Sequence, residues 1–272
     1  MKIRQPSVGL GEIVKAYGHS RQGYYKRKRR ADHRREQESI ILKAVQMERA
    51  ELPQTGARKL QQHLKRQGIT VGRDRLLRVL KTHGLLIARK KSYRKTTDST
   101  HGFKVYGNLV KSHQLSGPQQ VIVSDITYLF TLEGYCYLSL LMDLYSRKIL
   151  GYYLSRSLSV EGSLRALRMA VRGLPSGVIH HSDRGVQYCC KAYVKQLKSK
   201  RMVISMTEKD HVYENANAER LNGILKHELM LGGTLPSVAV AKKLVKSSIE
   251  LYNNKRLHTA LNYRTPSEVH AA

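Results

Sequence analysis

The sequence predicts a mixed α/β domain behind a basic, all-helical N-terminal region. Two observations carry this reading. From Val121 onward, short β-rich apolar runs are joined by brief turns and then alternate with helical stretches, as in α/β domains. Before residue 87 the periodicity is helical throughout, and the charge is uneven: residues 1–119 hold 28 Lys and Arg against 8 Asp and Glu, whereas residues 120–272 hold 21 against 12. At 272 residues the chain has room for a domain of ordinary size and a smaller module.

Residues 8–31 read as two short helices around Gly18-His19-Ser20. Val8, Leu10, Ile13, Val14 and Tyr17 supply the first apolar face, and Ser20 is the expected N-cap of the second helix, which holds Tyr24, Tyr25 and the basic run from Lys26 to Arg30. A connecting helix follows through Ile40, Ile41, Ala44, Val45 and Met47 and ends near Pro53. Gly56-Ala57-Arg58 then opens a compact unit. Leu60 and Leu64 share one face, Gln67-Gly68-Ile69-Thr70 turns, and Leu76, Leu77 and Leu80 repeat until Gly84. Two short helices about a Gly-containing turn match a helix-turn-helix. Arg73, Arg75 and Arg78 in its second helix cannot all be core, so some face solvent or DNA. Residues 87–119 are basic, rich in Ser, Thr, Gly and Lys, and aperiodic, which suits a linker whose Lys90, Lys91, Arg94 and Lys95 track a DNA backbone. The expected division is a basic helical region over 1–50, a helix-turn-helix over 51–86, a linker over 87–118 and a core over 119–272.

In the core, Val121–Phe130, Tyr135–Met142 and Ile149–Leu154 read as strands whose short connections imply an antiparallel meander. A helix over Val160–Val171, a strand over Val178–His181, a helix near Ala192–Lys200 and a strand over Met202–Ser205 follow.

The net charge of +29 and a pI near 10.2 favour a polyanionic partner, nucleic acid first; a generic basic protein such as a ribosomal component is the alternative on composition alone. Cys136, Cys189 and Cys190 are odd in number and two are adjacent, so they form no disulfide framework and suit a reducing compartment. No C-x-x-C pair signals zinc. Neither a bilayer-length apolar run nor a secretory leader is evident, and the expectation is a soluble, cytoplasmic chain associated with the nucleoid, with no membrane partner.

Three acids stand out. Asp125 closes the run Val121-Ile122-Val123-Ser124, Asp183 follows the short run Val178-Ile179 within His180-His181-Ser182-Asp183-Arg184-Gly185, and Glu219 lies 35 residues beyond Asp183 in Asn215-Ala216-Asn217-Ala218-Glu219-Arg220-Leu221-Asn222. Asn215, Glu219, Asn222 and Lys226 recur at steps of four, three and four, so on a helix they share one face.

These stretches, with Ser124-Asp125-Ile126-Thr127-Tyr128, Leu225-Lys226, Tyr252-Asn253-Asn254-Lys255-Arg256-Leu257-His258 and Thr265-Pro266, resemble the catalytic core of DDE insertion-sequence transposases and retroviral integrases, most closely the second-reading-frame product of two-frame elements. The resemblance covers most of residues 119–270. It implies a ribonuclease H-like core, with Asp125, Asp183 and Glu219 as catalytic residues holding two magnesium ions, manganese being able to substitute. The reaction it implies is hydrolysis at a transposon end followed by attack of the freed 3′-hydroxyl on a second phosphodiester. Two such ions compensate charge on the entering and leaving oxygens, and hard carboxylate ligands suit them. Either Asp125 or Asp183 bridges the ions. Lys226 is expected near the scissile phosphate with Asn215 and Asn222 beside it, while Arg256 and His258 contact DNA or support the site.

Other acids and histidines have other expected roles. Asp143 is expected to cap the turn that follows it, and Glu214 to act as an N-cap or dipole partner. His180 and His181 point to opposite faces of a strand, so they are expected to orient the Asp183 strand end or contact phosphate rather than share one ion. Two departures from the family pattern stand in the chain: Ile122 where a Trp is frequent, and Val212-Tyr213-Glu214 where Pro-Tyr-Asp is usual. The implied partners are double-stranded DNA, further copies of the chain assembled on it, and the product of an upstream reading frame, whose helix-turn-helix and heptads this chain does not show. A nuclease of the same fold and a silent DNA-binding regulator are the rival functions.

Overall fold

The computed structural model describes residues 9–87, 102–208 and 216–272. The chain clusters into two units, residues 1–48 with 60–86, and residues 49–59 with 87–272. The expectations that fall on Val8, Lys90, Lys91, Arg94, Lys95, Glu214 and Asn215 lie outside the described residues.

The N-terminal part begins with α1 (Leu10–Ala16) and α2 (Arg21–Glu51). Ser20 caps α2 as expected, its Oγ accepting from Gly23 N at 3.0 Å. The two helices expected after Ser20 are in fact one, because no Gly or Pro interrupts the chain from Tyr24 to Glu51 and nothing breaks the backbone ladder. Only Val14 of α1 is buried, and Ile13 and Tyr17 of its expected apolar face are exposed. α3 (Ala57–Arg66) and α4 (Arg73–Thr82) form the helix pair, with Leu60, Leu64, Val71, Leu76, Val79 and Leu80 buried. Leu77 is exposed and Val79 takes its place, since steps of three and four from Leu76 reach Val79 and Leu80. Gly68 at φ +80° makes the turn and lets Ile69 N donate to Leu64 O at 2.9 Å.

The second unit is built on a six-stranded sheet. β1 (Val121–Thr131), β2 (Gly134–Asp143) and β3 (Ile149–Ser155) form the antiparallel meander, and β4 (Ile179–Ser182) and β5 (Val203–Met206) extend it in parallel, giving the order β3-β2-β1-β4-β5. α5 (Val160–Ala170) joins β3 to β4, while α6 (Val186–Cys189) and α7 (Lys191–Ser199) cross from β4 to β5. Gly151 is required under α5, because a Cβ there would lie 2.2 Å from Ala166 O. α8 (Ala216–Gly223) and α9 (Val238–Asn254) cover the opposite face, and α10 (Pro266–His270) ends the chain behind a Thr265–Glu268 capping box. Two core clusters result. Val121 and Val123 pack with Leu221, Leu225 and Tyr252 on the α8–α9 side, and Ile122 packs with Leu167, Tyr193 and Leu197 on the α5–α7 side.

Residues 102–118 hold no helix or strand, yet they lie along this unit. Leu109 N donates to Ser205 Oγ at 2.9 Å, and Val110 and Leu115 pack on the α8–α9 core. Among the described residues no helix is long and apolar enough to cross a membrane.

Candidate active site

One edge of β1 is open. Residues 121–123 pair with β4 and residues 130–131 with β6 (Thr234–Leu235), so between them residues 124–129 have no strand partner on that side among the described residues. Asp125 stands at the start of this gap. The parallel register Val123↔His181, continued by two residues, brings Asp183 beside it, one residue beyond the end of β4. Alternation from Val121 and Val123 turns Asp125 toward the α8 side of the sheet.

Both carboxyls are half-buried. Asp125 Oδ1 accepts from Ile126 N at 2.9 Å, and Asp183 Oδ1 accepts from Gly185 N at 3.0 Å. Burial, then the charge of Asp183, pushes the Asp125 carboxyl up to about 7, against the hydrogen bonds from Ile126 and Asn222. Burial likewise raises Asp183, opposed by the Gly185 bond.

The helix completes the site from the other side. Asn222 Nδ2 donates to Asp125 Oδ2 at 2.6 Å, and Glu219, three residues earlier in α8, is exposed and adds its charge to the field at Asp125. Beyond Gly223 the helix widens into a π-turn, Ile224–Glu228, closed by Leu229 N donating to Ile224 O at 3.2 Å. The α-helical period therefore stops short of Lys226, yet that residue still faces the site. Its Nζ lies 4.1 Å from the centre of the Tyr128 ring; burial lowers its pKa and the Asp125 charge partly restores it. Gly232 fits against this turn, since a Cβ there would be 2.8 Å from Lys226 O.

The expected cap at Asp143 is present and fully buried. Oδ1 accepts from Ser146 N and Oγ, each at 2.7 Å, and Oδ2 from Gln119 N at 2.6 Å. His180 and His181 are also buried. His180 Nε2 lies 3.0 Å from both Ser124 Oγ and Tyr193 Oη, and His181 Nδ1 lies 2.9 Å from Ser205 Oγ. They brace the strands that carry the aspartates, and burial drives His180 down to about 3, a neutral ring.

Arg256 and His258, expected as DNA contacts or supports, are in the interior. Arg256 is 5% exposed and grips Glu228 with both arms, Nε to Oε2 at 2.8 Å and Nη2 to Oε1 at 2.7 Å, while its Nη1 lies 2.9 Å from His258 Nε2. Lys59 Nζ adds a bond to Glu228 Oε2 at 3.0 Å. Both side chains are thus engaged inside the fold, Arg256 by Glu228 and His258 by Arg256. The roles of Glu228, Lys59 and Tyr128 were not foreseen, although Tyr128 stands in the Ser124–Tyr128 motif: each meets its partner across a large sequence distance. Arg73, Arg75 and Arg78 are all exposed on α4, with Arg73 Nε donating to Asp74 at 3.0 Å.

Among the described residues, no three His, Cys, Asp or Glu side chains converge to hold one metal ion. Two carboxylates do meet, and Asn222 Oδ1 beside them is buried without a hydrogen-bond partner. Two neighbouring carboxylates and a spare amide carbonyl, all oxygen donors, fit a hard divalent cation.

A sheet of order 3-2-1-4-5 with two aspartates at its central strands and a helix amide and acid above them defines a ribonuclease H-like core of the integrase type, a class whose chemistry is polynucleotidyl transfer. Integrase core domains match residues 116–211 and 200–266. The insertion element IS600 uncharacterized 31 kDa protein of Shigella sonnei is 35% identical over 94% of this chain and 96% of its own length. The transposase InsF for insertion sequence IS3A of Escherichia coli (strain K12) is 34% identical over 78% of this chain and 75% of its own. A chain of the simian T-cell lymphotropic virus intasome, solved in complex with the PP2A regulatory subunit B56 gamma, has the same fold at a TM-score of 0.51 and 17% identity, over 81% of this chain and 72% of that one. The chain belongs to the insertion-sequence transposases, among the DDE enzymes of the IS3 family.

Proposed function

We propose that the protein cuts the ends of its own element and joins them to new DNA. Water first displaces a 3′-oxygen from phosphorus at the element end, leaving a 3′-hydroxyl and a 5′-phosphate. That hydroxyl then attacks a second phosphodiester and expels its 3′-oxygen, with no protein–DNA bond at either step. The observation that supports this most is the meeting of Asp125 and Asp183 on the open edge of β1, under the Asn222 amide.

Asp125, Asp183 and Glu219 would hold magnesium, which supplies charge compensation for the entering and leaving oxygens. Asn222 orients Asp125 and favours its charged form. Lys226 offers its ammonium to a phosphate at the mouth of the site, and Asn215, outside the described residues, belongs with it on sequence grounds. The basic region over residues 1–86 holds the element end, with Arg73, Arg75 and Arg78 of α4 toward DNA, residues 87–118 connect, and residues 119–272 carry the chemistry. Copies of the chain assemble on DNA so that two ends are cut together, and a product of an upstream reading frame is a further partner.

The test uses a labelled duplex carrying the element end, magnesium, and the full chain. Wild type should give nicked ends and strand-transfer products. Asp125→Asn, Asp183→Asn and Glu219→Gln should bind the duplex yet give neither, while Asp143→Asn, compared per folded molecule, keeps substantial activity. Nicking without transfer would reduce the protein to a nuclease. Activity retained in the three carboxylate variants would remove the proposed site.

A further inference from the structure

A second charged surface lies on the face of the sheet opposite α8. Residues 162–207 contain nine Lys and Arg and a single acid, Asp183. Lys191, Lys195 and Lys198 recur along α7 at steps of four and three, so they line one exposed face of that helix, and Lys200 and Arg201 continue beyond its end. Across a groove, α5 and its C-terminal turn present Arg168 and Arg172. Two hollows flank α7: one of 310 Å³ lined by Arg168, Val171, Arg172, Gln196 and Lys200, and one of 540 Å³ lined by Lys191, Val194, Lys195, Lys198 and Ser199. Neither has an acid in its wall.

Other cations of the fold, including Arg168 at the α5 rim, have carboxylate partners. Arg165 and Arg168 share Glu161 at 2.8 and 3.5 Å, Arg156 meets Glu133, and Arg256 and Lys59 meet Glu228. Arg172, Lys191, Lys195, Lys198, Lys200 and Arg201 have no carboxylate partner among the described residues. Like charges three and four residues apart destabilise a helix, a cost that a polyanion laid along them removes. The three α7 lysines span about 10 Å at about 1.5 Å per residue, which measured along a duplex axis matches about three phosphates of one strand at about 3.4 Å each. α7 also starts just beyond the Asp183 turn and leads back to β5, so its row of cations runs away from the carboxylate edge.

We propose that the lysine face of α7, with Lys200 at its end and Arg172 across the groove, binds the sugar–phosphate backbone of duplex DNA on its way to or from the carboxylate edge. The contact is sequence-independent, because the groove offers charge and no amide or carboxylate pair aimed at base edges except Gln196. This surface rests on the polynucleotidyl-transfer reading and adds to it a track for DNA outside the chemical site.

The experiment is equilibrium binding of the full chain to a labelled duplex of random sequence over a salt series. Lys191→Gln, Lys195→Gln and Lys198→Gln combined should make the slope of log K against log salt shallower by about 2–3, since each phosphate contact contributes about 0.9. The control is Lys242→Gln, Lys243→Gln and Lys246→Gln on α9, with the same change in net charge. An unchanged slope in the α7 variant, or an equal change in both, overturns the proposal. If the triple variant does not fold, Lys195→Gln alone should still shift the slope by about 0.9. Binding is read without chemistry, so the two readings fail separately. A slope change in a chain that never nicks DNA sinks the reaction and keeps the track; nicking with an unchanged slope does the reverse.

Discussion

Asn222 donates Nδ2 to Asp125 Oδ2 across 2.6 Å, and through this bond α8 reaches the acidic edge of β1. The two residues are 97 positions apart in sequence. The bond favours the charged carboxylate, whereas burial and the neighbouring Asp183 charge favour the protonated one, and the balance leaves Asp125 at about 7.

Removing the amide should tip that balance. In Asn222→Ala the charged form loses a bond of about 1.5–3 kcal/mol, so the Asp125 carboxyl rises by about one unit or more. Its ionised fraction then appears at higher pH, and the acidic limb of nicking activity moves up with it. Carboxyl-carbon NMR titration of the metal-free chain reads the shift directly; a downward shift would mean that Asn222 supports the neutral acid instead.

The Glu228–Arg256 pair ties the π-turn after the candidate catalytic helix to the C-terminal segment. Burial alone would push the Glu228 carboxyl up, and Arg256 and Lys59 hold it below the usual range. Glu228→Gln leaves the buried Arg256 uncompensated and should cost about 3 kcal/mol in urea unfolding. Glu228→Leu combined with Arg256→Met should cost less than either single change, because the deeply buried Arg256 charge is removed together with its partner and only Lys59 loses its carboxylate. Additive losses would show that the pair is solvated.

His258 sets an acid limit on stability. Burial, then the Arg256 charge, lowers its pKa to about 2, so the native ring stays neutral where the unfolded one gains a proton. Its contribution is complete above the unfolded pKa of about 6.5 and is lost as pH falls below it, by about 1.4 kcal/mol per pH unit. His258→Gln keeps an acceptor for Arg256 and removes the titration. Urea midpoints of the variant should therefore decline less steeply on acidification; parallel curves would show that His258 protonates in the native state.

Arg73, Arg75 and Arg78 are exposed together on α4. Changing them to Ala should weaken binding to the element's own ends more than to random duplex, with a bidentate base contact contributing about 1–3 kcal/mol of discrimination. Equal losses on the two DNAs would assign α4 to phosphates alone.

Local pattern determined much of this protein without the fold. The β-rich runs of Val121–Thr131 and Gly134–Asp143 and the 3.6-residue repeats of α3 and α4 were legible, because each depends on neighbours within a few residues. Where a decision depended on long-range packing, the sequence was silent or misleading. Leu77 looked like core and is exposed, since orientation about α4 is set by what lies beneath it. Arg256 and His258 were open to a DNA contact or a supporting role, and their burial rests on Glu228, which pairs with Arg256 from 28 residues away in the chain. The π-turn at Ile224–Glu228 broke the period that linked Lys226 to Glu219, while Tyr128 supplied Lys226 with a ring to rest on. A side chain's periodicity is written along the chain, but its partner is chosen in three dimensions, where burial makes every charge seek a counter-charge wherever the fold brings one.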